Sequence, residues 1–338
     1  MTTSPERPID ALVVVSFGGP EGPEDVVPFL QNVTRGRNIP DHRLAQVGSH
    51  YQLFGGVSPL NAQCRQLVEA LQTELTRRDD NTPVYWGNRN WDPMLEDTVG
   101  QMAADGVQRA AAFVTSAYSS WSGCRQYLDD IARARAAVGP TAPPIEKLRQ
   151  YHDHPGFVEP FVDATRAALL ELADSPRADA ELLFTAHSIP TAMAEGCDYR
   201  SQLLVTADLI SRALGDQRPW ELVFQSRSGA PHVPWLEPDV GDRLRQKAEE
   251  GSRAVVVVPI GFTSDHMEVV YDLDTEARRV ADEAGVAMAR AATPGTDPRF
   301  VAMVLALLDE QRRGDQPVAL GPAGPRPVPC RPDCCPAG

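Results

Sequence analysis

The feature that most constrains the fold is a run of apolar residues, VVVVPI at 255–260, with a polar loop and a helical pattern directly after it. A short run rich in β-branched side chains predicts a strand that is covered on both faces. The helical pattern begins near His266. This part of the chain is therefore predicted to form a strand, a loop and a helix, the repeating unit of a parallel α/β sheet.

The same alternation of strand and helix runs along most of the chain. Strand patterns recur at residues 11–17, 84–88, 109–115, 180–186, 221–225, 254–260 and 286–291. Alternating units of this kind predict parallel sheets with helices on both faces and right-handed crossovers. We therefore expect an α/β protein with two similar doubly wound, Rossmann-like domains and an active-site cleft between them.

The domain boundary is predicted from a break in this pattern. The segment GPTAPP at residues 139–144 ends a helical pattern and is rich in Pro and Gly, which is typical of a connection. The predicted domains are residues 1–145, an N-terminal α/β domain, and residues 146–313, a C-terminal α/β domain. Residues 314–338 form a Pro- and Cys-rich tail whose composition alone would leave it disordered.

Composition excludes several classes of protein. The net charge of −14 leaves no basic stripe for nucleic acid,. No apolar run approaches the ~20 residues of a membrane span, and the N-terminus lacks the character of a signal peptide. Six cysteines, unevenly spread, are too few for a secreted disulfide scaffold,. We therefore expect a cytoplasmic protein without a transmembrane segment and without a nucleic-acid partner.

Three carboxylates recur along the helix that begins near His266. Glu268, Asp272 and Glu276 stand four residues apart, so they share one face of an α-helix. Like charges at this spacing cost stability, which favours a face that meets a cation, although a solvated helix face is the alternative. Ligands bind beyond the carboxyl ends of the strands in open α/β sheets, and this position favours the cation.

His187 follows another predicted strand, at residues 180–186. A histidine there is either a packed, hydrogen-bonded residue or a catalyst. Together with carboxylates it can bind a divalent metal or relay protons, and a neutral imidazole accepts protons near pH 7. The chain has no HExxH helix, P-loop, dinucleotide-binding pattern or Gly-x-Ser-x-Gly elbow,. The residues themselves indicate a cation site and do not name a substrate.

Several short motifs together resemble the ferrochelatase family. They are SFGGP at 16–20, GGVSPL at 55–60, TAHSIP at 185–190, FQSR at 224–227, PWL at 234–236 and FTSDHME at 262–268. The resemblance spans residues 11 to about 310 in order. It implies a chelatase-type fold and a lyase that inserts Fe²⁺ into a porphyrin with release of two pyrrole protons. His187 and Glu268 would be the catalytic and metal-site pair, and Asp272 and Glu276 a route for metal or protons.

The resemblance also implies a set of porphyrin-binding residues. Ser58 and Tyr127 would contact propionates, and His50 stands where some relatives carry Arg. Arg35 and Arg37 are candidate propionate partners, because a guanidinium pairs with a carboxylate in a bidentate fork. A solvated loop is the alternative for these two arginines.

Aromatic side chains near the same motifs have a second predicted role. Phe17 stands where some relatives place a Tyr that touches the metal, and a Phe can only pack on the ring. Trp121 could stack on the porphyrin or lie in the core. Asn88, which ends a predicted strand, is open between the same two interpretations.

The cysteine-rich tail resembles that of ferrochelatases that hold a [2Fe–2S] cluster. Such a cluster takes four thiolates, and the resemblance implies Cys330, Cys334 and Cys335 with the internal Cys124. A Zn²⁺ site and an unstructured reactive tail are the alternatives. Cys64 and Cys197 are interpreted as ordinary free thiols.

The SFGGPEGP loop and the tail look like those of actinobacterial members of the family, in which the expected substrate is coproporphyrin III. The resemblance therefore implies the conversion of coproporphyrin III to its iron complex in haem biosynthesis. Its expected partners are the porphyrin, Fe²⁺ and a downstream enzyme of the haem pathway. The alternatives are a protoporphyrin IX ferrochelatase, a cobalt chelatase acting on a corrin precursor, and a non-catalytic haem or porphyrin carrier.

Overall fold

The structure is a computed structural model that describes residues 8–36, 40–215, 217–230, 232–330 and 334–336, without the side chains of residues 41 and 176. The chain divides into two compact units. The first unit consists of Met1–Thr115, Gln126–Arg149 and Val301–Pro317. The second unit consists of Ser116–Arg125, Gln150–Phe300 and Val318–Gly338. These ranges differ from the predicted domains at residues 116–125, which belong to the second unit, and at residues 146–149 and 301–313, which belong to the first.

Among the described residues, each unit contains one sheet of four strands, and every neighbouring pair is parallel. The strands of the first unit are β1 Ala11–Ser16, β2 Val84–Asn88, β3 Ala110–Val114 and β4 Ile145–Lys147, in the order β2-β1-β3-β4. Those of the second unit are β5 Glu181–His187, β6 Trp220–Gln225, β7 Ala254–Val258 and β8 Ala287–Arg290, in the order β6-β5-β7-β8. The two units therefore have the same topology, and the prediction of two similar parallel α/β sheets is confirmed.

Helices cover both faces of the sheets. In β1, Val13 and Val15 pack against residues of the helices at 95–104 and 126–138. Side chains alternate between the faces of a strand, and Leu12 and Val14 on the opposite face are also fully buried. A fully buried Val or Leu contributes about 1.5–3 kcal/mol, so the two-sided burial explains why these strands are continuously apolar.

The helices are bounded as follows. They are α1 Val26–Val33, α2 Asp41–Gln52, α3 Leu60–Arg77, α4 Leu95–Ala104, α5 Gln126–Val138, α6 Pro155–Glu171, α7 Asp174–Ala178, α8 Thr191–Glu195, α9 Tyr199–Leu214, α10 Val240–Glu249, α11 Met267–Val270, α12 Arg278–Ala284 and α13 Pro298–Arg313. The sequence patterns do not predict α2, α7, α8, α10 or the short β4. In α2 the reason is its composition, DHRLAQVGSHYQ, which has too few apolar residues for a helical period.

The acidic helix is not continuous, contrary to the prediction. A π-helical turn, Asp272–Ala277, separates α11 from α12. The carbonyl oxygen of Tyr271 accepts from the backbone N–H of Thr275 at 3.2 Å and from that of Glu276 at 2.9 Å. The second of these is the i→i+5 bond that defines a π turn, and such turns occur frequently at functional sites. A second π turn, Trp121–Arg125, precedes α5. Within the described ranges no helix is long and apolar enough to cross a bilayer.

Candidate active site

His187 is the last residue of β5, and its orientation is set by its neighbours in the second unit. Its ring Nδ1 contacts the carbonyl oxygen of Ser188, which can only accept, so Nδ1 carries the hydrogen. The hydroxyl of Tyr199 donates to the carbonyl oxygen of His187 at 2.9 Å. These bonds leave Nε2 facing Glu268, whose Oε1 lies 3.4 Å away.

Glu268 is held at the start of α11. The backbone N–H of Glu268 donates to Nδ1 of His266 at 3.1 Å, so His266 caps the helix with its side chain. Gly261 is required nearby, because a Cβ there would lie 2.6 Å from Cα of Ala186. The ends of β5 and of the segment after β7 can approach closely only without that atom. The loop thus delivers Glu268 to the end of β5, as ligand sites in α/β sheets require.

The two side chains form an ion pair. Burial lowers the pKa of His187, but the Glu268 carboxylate more than offsets this and raises the pKa to about 9. Burial raises the pKa of Glu268, and His187 more than offsets this and lowers it to about 2. A neutral imidazole suits proton acceptance near pH 7, whereas the adjacent Glu268 carboxylate favours the protonated form of the ring. The side chains remain 31% and 42% exposed, so the pair is accessible.

The three predicted carboxylates Glu268, Asp272 and Glu276, called the acid row below, divide into two parts. Burial raises the pKa of Asp272 to about 7, a hydrogen bond from Ser226 Oγ opposes this, and the charge of Glu268 adds to it. Asp272 also interacts electrostatically with His187. Glu276 is exposed, and its Oε1 accepts from the Tyr271 hydroxyl at 3.3 Å. The structure therefore brings His187, Glu268 and Asp272 together and leaves Glu276 at the surface.

Residues at the end of β6 belong to this group, although the sequence assigns them no role. Gln225 is the register partner of His187, and its Nε2 donates to the carbonyl oxygen of Glu268. The ring of Trp235 lies 6.5 Å from that of His187, centroid to centroid. Both residues fall in motifs that carry the family resemblance. The signal that could have identified Gln225 is its place at the end of a strand that neighbours β5.

The corresponding end of the sheet in the first unit is closed by hydrogen bonds. Ser16 ends β1, and its hydroxyl donates to Oδ1 of Asn88, its register partner at the end of β2. The same hydroxyl accepts from Nε1 of Trp86 at 3.0 Å. Nδ2 of Asn88 donates to Oδ1 of Asn61 at 3.3 Å and to the carbonyl oxygen of Asp92 at 3.0 Å. Asn88 is therefore a structural residue of the core.

Two of the predicted porphyrin-binding residues lie in loops that touch, Phe17 after β1 and Ser58 before α3. Phe17 is 37% exposed and packs edge-on against Phe29, with 6.3 Å between ring centroids. Ser58 is buried and accepts from the backbone N–H of Leu60 at 3.4 Å. A Cβ at residue 19 would lie 2.7 Å from Cβ of Ser58, so Gly19 allows the SFGGP and GGVSPL loops to touch. The exposed ring is available to a ligand, whereas the Ser58 hydroxyl lies within the protein.

Tyr127 lies in the core of the first unit. It belongs to the buried cluster of β1, β3, α4 and α5. The Arg89 guanidinium lies over its ring at 3.7 Å, and Arg89 forms a buried ion pair with Asp130. Burial raises the pKa of the Tyr127 hydroxyl. Tyr127 is therefore 5% exposed with a cation stacked on its ring, and its contact with a propionate stays a prediction.

The remaining predicted porphyrin contacts are more exposed. Arg35 is exposed, and its guanidinium donates to Oδ1 of Asn32 at 2.5 Å. His50 is half-buried in the last turn of α2. Trp121, in the second unit, is half-buried at the start of its π turn. Arg37 lies outside the described residues.

The tail docks on the second unit through several contacts. The backbone N–H of Leu320 donates to the carbonyl oxygen of Asp153 at 2.8 Å, and Arg326 pairs with Asp198. Pro336 packs against Gly196. In its described residues, 314–330 and 334–336, the tail thus makes contacts with the second unit that its composition alone does not predict.

Thiols meet where the tail docks. Cys335 is buried, contacts Cys124 through a sulfur hydrogen bond, and lies 3.3 Å from Cys334 between Sγ atoms. Cys330 is half-buried, with its Sγ 4.0 Å from the carbonyl oxygen of Pro327. Cys197, predicted to be an ordinary free thiol, is a free cysteine in the structure and interacts electrostatically with Cys334. Nevertheless, the described residues contain no group of three or more His, Cys, Asp or Glu side chains arranged to hold a metal ion.

The family model described as ferrochelatase matches residues 9–312. The chain belongs to the ferrochelatase family. Among similar proteins, a coproporphyrin III ferrochelatase of Frankia alni is 56% identical over 348 residues, covering 99% of this chain and 89% of that protein. One from Mycolicibacterium smegmatis is 55% identical over 323 residues, covering 95% of this chain and 94% of that protein. The family predicted from the short motifs is confirmed.

Solved structures of chelatases resemble the fold of this ferrochelatase family member. The sirohydrochlorin chelatase SirB of Bacillus subtilis, in complex with cobalt, has a TM-score of 0.52 at 11% identity and covers 90% of this chain and 96% of its own. DR2241 of Deinococcus radiodurans, a multi-domain protein similar to chelatases, has a TM-score of 0.51 at 15% identity, covering 90% of this chain and 56% of its own. The predicted chelatase-type fold is confirmed by this likeness, which concerns the fold alone.

Proposed function

We propose that this enzyme inserts Fe²⁺ into coproporphyrin III to form the iron complex in haem biosynthesis. The observation that carries the proposal is the ion pair of His187 and Glu268, 3.4 Å apart and partly exposed, in a chain of the ferrochelatase family. The substrate is inferred from relatives named coproporphyrin III ferrochelatase at 52–56% identity. A carrier would have no use for a protonated imidazole beside two carboxylates.

The reaction replaces two pyrrole N–H bonds by nitrogen–iron bonds, so two protons must leave for each iron that enters. Glu268 supplies a hard oxygen ligand to the arriving Fe²⁺. A histidine nitrogen can ligate a metal or accept a proton only when it is neutral. His187 therefore passes its proton to Asp272 as the cation pairs with Glu268. The neutral imidazole then accepts the two pyrrole protons one after the other and passes each to the same carboxyl group, which releases it toward water.

Protons leave along the acid row in this proposal. Asp272, with a pKa of about 7, can take up and release a proton at neutral pH. Glu276 is exposed and can exchange protons with water. The exposed ring of Phe17 packs on the porphyrin face without ligating the metal. Each of these roles requires only side chains that are present in the chain.

The test is conversion of porphyrin by anaerobic enzyme with Fe²⁺, followed by absorption, with coproporphyrin III and protoporphyrin IX in parallel. Faster turnover of coproporphyrin III is expected. Faster turnover of protoporphyrin IX would overturn the substrate assignment and keep the reaction. Preference for Co²⁺ over Fe²⁺ would replace iron by cobalt, and binding without turnover would make the protein a carrier.

We also propose that the tail thiols hold a [2Fe–2S] cluster, with Cys124, Cys330, Cys334 and Cys335 as its ligands. Support comes from the contacts of Cys335 with Cys124 and Cys334. The cluster would join the tail to the segment that precedes α5, and it has no part in the insertion steps above. A downstream haem-pathway enzyme that receives the product is part of the same proposal.

The cluster is tested by the iron and sulfide content and the visible spectrum of anaerobically purified protein. Two irons and two sulfides for each chain are expected, with loss of both in Cys335→Ser. Cys64→Ser is the matched control, because Cys64 is equally buried but lies in the first unit beside Ser16. A wild-type protein that binds one Zn²⁺ instead would contradict the cluster.

A further inference from the structure

The end of β6 holds the acid row at two points. Gln225, the last residue of β6, donates from Nε2 to the backbone carbonyl of Glu268. Ser226, the next residue, donates from Oγ to the carboxylate of Asp272. These bonds cross from a strand to the two turns that carry the acids, α11 and the π turn after it. Two consecutive residues thus contact both of the acids that lie near His187.

The side chain of Gln225 lies on the same side of the sheet as that of His187. The two residues are paired in parallel register, and the backbone N–H of Ser188 donates to the carbonyl oxygen of Gln225 at 2.8 Å. Side chains of directly paired residues project to the same face of a sheet. The carboxamide therefore reaches from β6, on the side of the sheet that carries the His187 side chain, to the backbone of the helix that carries Glu268.

The hydrogen bond to the Glu268 carbonyl fixes the Gln225 carboxamide in an orientation that destabilises the protein. Because the Glu268 carbonyl can only accept, Nε2 must face it. This leaves Oε1 buried without a hydrogen-bond partner among the described residues, and Gln225 is 1% exposed. A buried acceptor without a partner is destabilising, so stability alone gives no reason for a glutamine here.

The backbone of Ser226 is strained as well. Its φ is +62°, a left-handed conformation that is unfavourable for a residue with a Cβ. Glycine would adopt it freely, but glycine has no hydroxyl for Asp272. Strain of this kind persists where the surroundings impose it, commonly at functional sites. Both consecutive residues therefore have unfavourable features that their contacts with the acid row account for.

We propose that Gln225 and Ser226 are positioning residues that hold Glu268 and Asp272 at His187 for the metal-insertion reaction. The inference rests on the proposed function, since it assigns these residues to the same site. Gln225 acts through the backbone of Glu268, and Ser226 acts through the carboxylate of Asp272. Neither needs to touch the metal or the porphyrin.

The main test compares Ser226→Ala with Ser226→Gly. Both variants remove the hydroxyl, and only the glycine relieves the strained φ. Residues that orient metal ligands typically change metal affinity or activity by about 10- to 100-fold when they are replaced. We expect both variants to lose at least tenfold in kcat/KM for Fe²⁺ with an unchanged KM for porphyrin, and Ser226→Gly to melt at a higher temperature than Ser226→Ala. Full activity in either variant would overturn the proposal.

A double-mutant cycle tests the route through Asp272. If Ser226 acts through that carboxylate, Ser226→Ala has no further effect once Asp272→Asn is present. Additive losses would contradict the route. Gln225→Met, which removes the unpaired acceptor together with the donor, is expected to lower the rate without lowering the melting temperature. A parallel loss of rate and of melting temperature would make Gln225 merely structural.

The control is Thr165→Val, which removes a buried hydroxyl that donates to the Phe161 carbonyl within α6 at 2.7 Å. It should lower the melting temperature and leave the kinetic constants unchanged. Binding of Fe²⁺ alone, without porphyrin, separates the two proposals. A wild type that binds Fe²⁺ but never forms an iron porphyrin contradicts the function, whereas weaker Fe²⁺ binding in Ser226→Ala still supports the positioning role.

Discussion

The ends of the central strands differ between the two units, although the topology is the same. Ser16 and Asn88 end β1 and β2 in the first unit, and His187 and Gln225 end β5 and β6 in the second, each pair in direct register. In the first unit the pair is joined by its own hydrogen bond, Ser16 to Asn88. In the second unit both residues contact Glu268 instead.

The difference lies in how completely the polar groups are satisfied. Ser16 and Asn88 are both fully buried, and their side chains hydrogen-bond to Trp86, Asn61 and Asp92. Among the described residues, Thr185, Gln225 and Trp235 near the end of β5 have buried side-chain atoms without partners. A saturated network stabilises a core, whereas buried groups without partners are destabilising and call for a functional explanation. The same topology therefore has a structural role at the ends of β1 and β2 and a reactive role at the ends of β5 and β6.

The largest effect is expected from His187→Ala. Losing a group that transfers protons typically costs about 10²- to 10⁴-fold in rate, so kcat for Fe²⁺ insertion should fall by that factor with little change in melting temperature. Ser16→Ala, at the matching position of the first unit, should have the opposite profile and lower mainly the melting temperature. Equal losses of rate in both variants would remove the distinction between the two ends.

Glu268→Gln should have the next largest effect. The substitution keeps the size of the side chain and removes the charge that raises the pKa of His187. We expect kcat/KM for Fe²⁺ to fall about 10- to 100-fold, as for a lost metal-orienting group, while porphyrin affinity measured by fluorescence quenching is retained. Unchanged Fe²⁺ kinetics would show that Glu268 is not a metal-site residue.

Asn88→Leu sharpens the comparison from the structural side. It leaves the Ser16 hydroxyl and Asn61 without their buried partner, which typically costs about 1–3 kcal/mol. Urea unfolding should show this loss, with the rate of the folded enzyme at low temperature retained. A large loss of rate at full stability would place Asn88 in the reactive group.

The smallest effect concerns acid stability away from both ends. Burial raises the pKa of Asp80, but Arg312 in α13 and Thr82 more than offset this and lower it to about 2. A carboxyl group whose pKa is lowered by folding stabilises the fold at pH values above its unfolded pKa, which is near 4. This contribution is lost as the pH falls toward about 2. Asp80→Asn should lower the free energy of unfolding by on the order of 1 kcal/mol at pH 7. It should also make that free energy fall less steeply as the pH is lowered. The same pH dependence of the urea unfolding free energy in the variant and the wild type would contradict the pairing of Asp80 with Arg312.

The sequence was sufficient for the parts of the structure that depend on pattern. The continuous apolar runs of β1, β5 and β7 predict parallel sheets, and the ordered motifs predict the family, because both signals are local in the chain. The pairing of His187 with Glu268 also follows from motifs, because His187 ends β5 and Glu268 lies at the start of the helix that follows β7.

Contacts between residues that are far apart in the sequence could not be predicted from its patterns. The π turn at 272–277 depends on one backbone bond, Tyr271 to Glu276, which leaves the residue pattern unchanged. The raised pKa of His187 depends on Glu268, whose carboxylate lies 3.4 Å away, and Arg89 reaches the ring of Tyr127 from a distant part of the sequence. Packing across the fold decides all three.

The most direct test of the central claim is proton release during anaerobic turnover with Fe²⁺ and coproporphyrin III. Weakly buffered indicator dye and the porphyrin spectrum would be followed together in wild type and in His187→Ala. The account predicts two protons released for each iron porphyrin formed by the wild type, over many turnovers. In His187→Ala both signals should slow by about 10²- to 10⁴-fold despite bound porphyrin. Turnover at the wild-type rate in His187→Ala, or binding without turnover in the wild type, would contradict it.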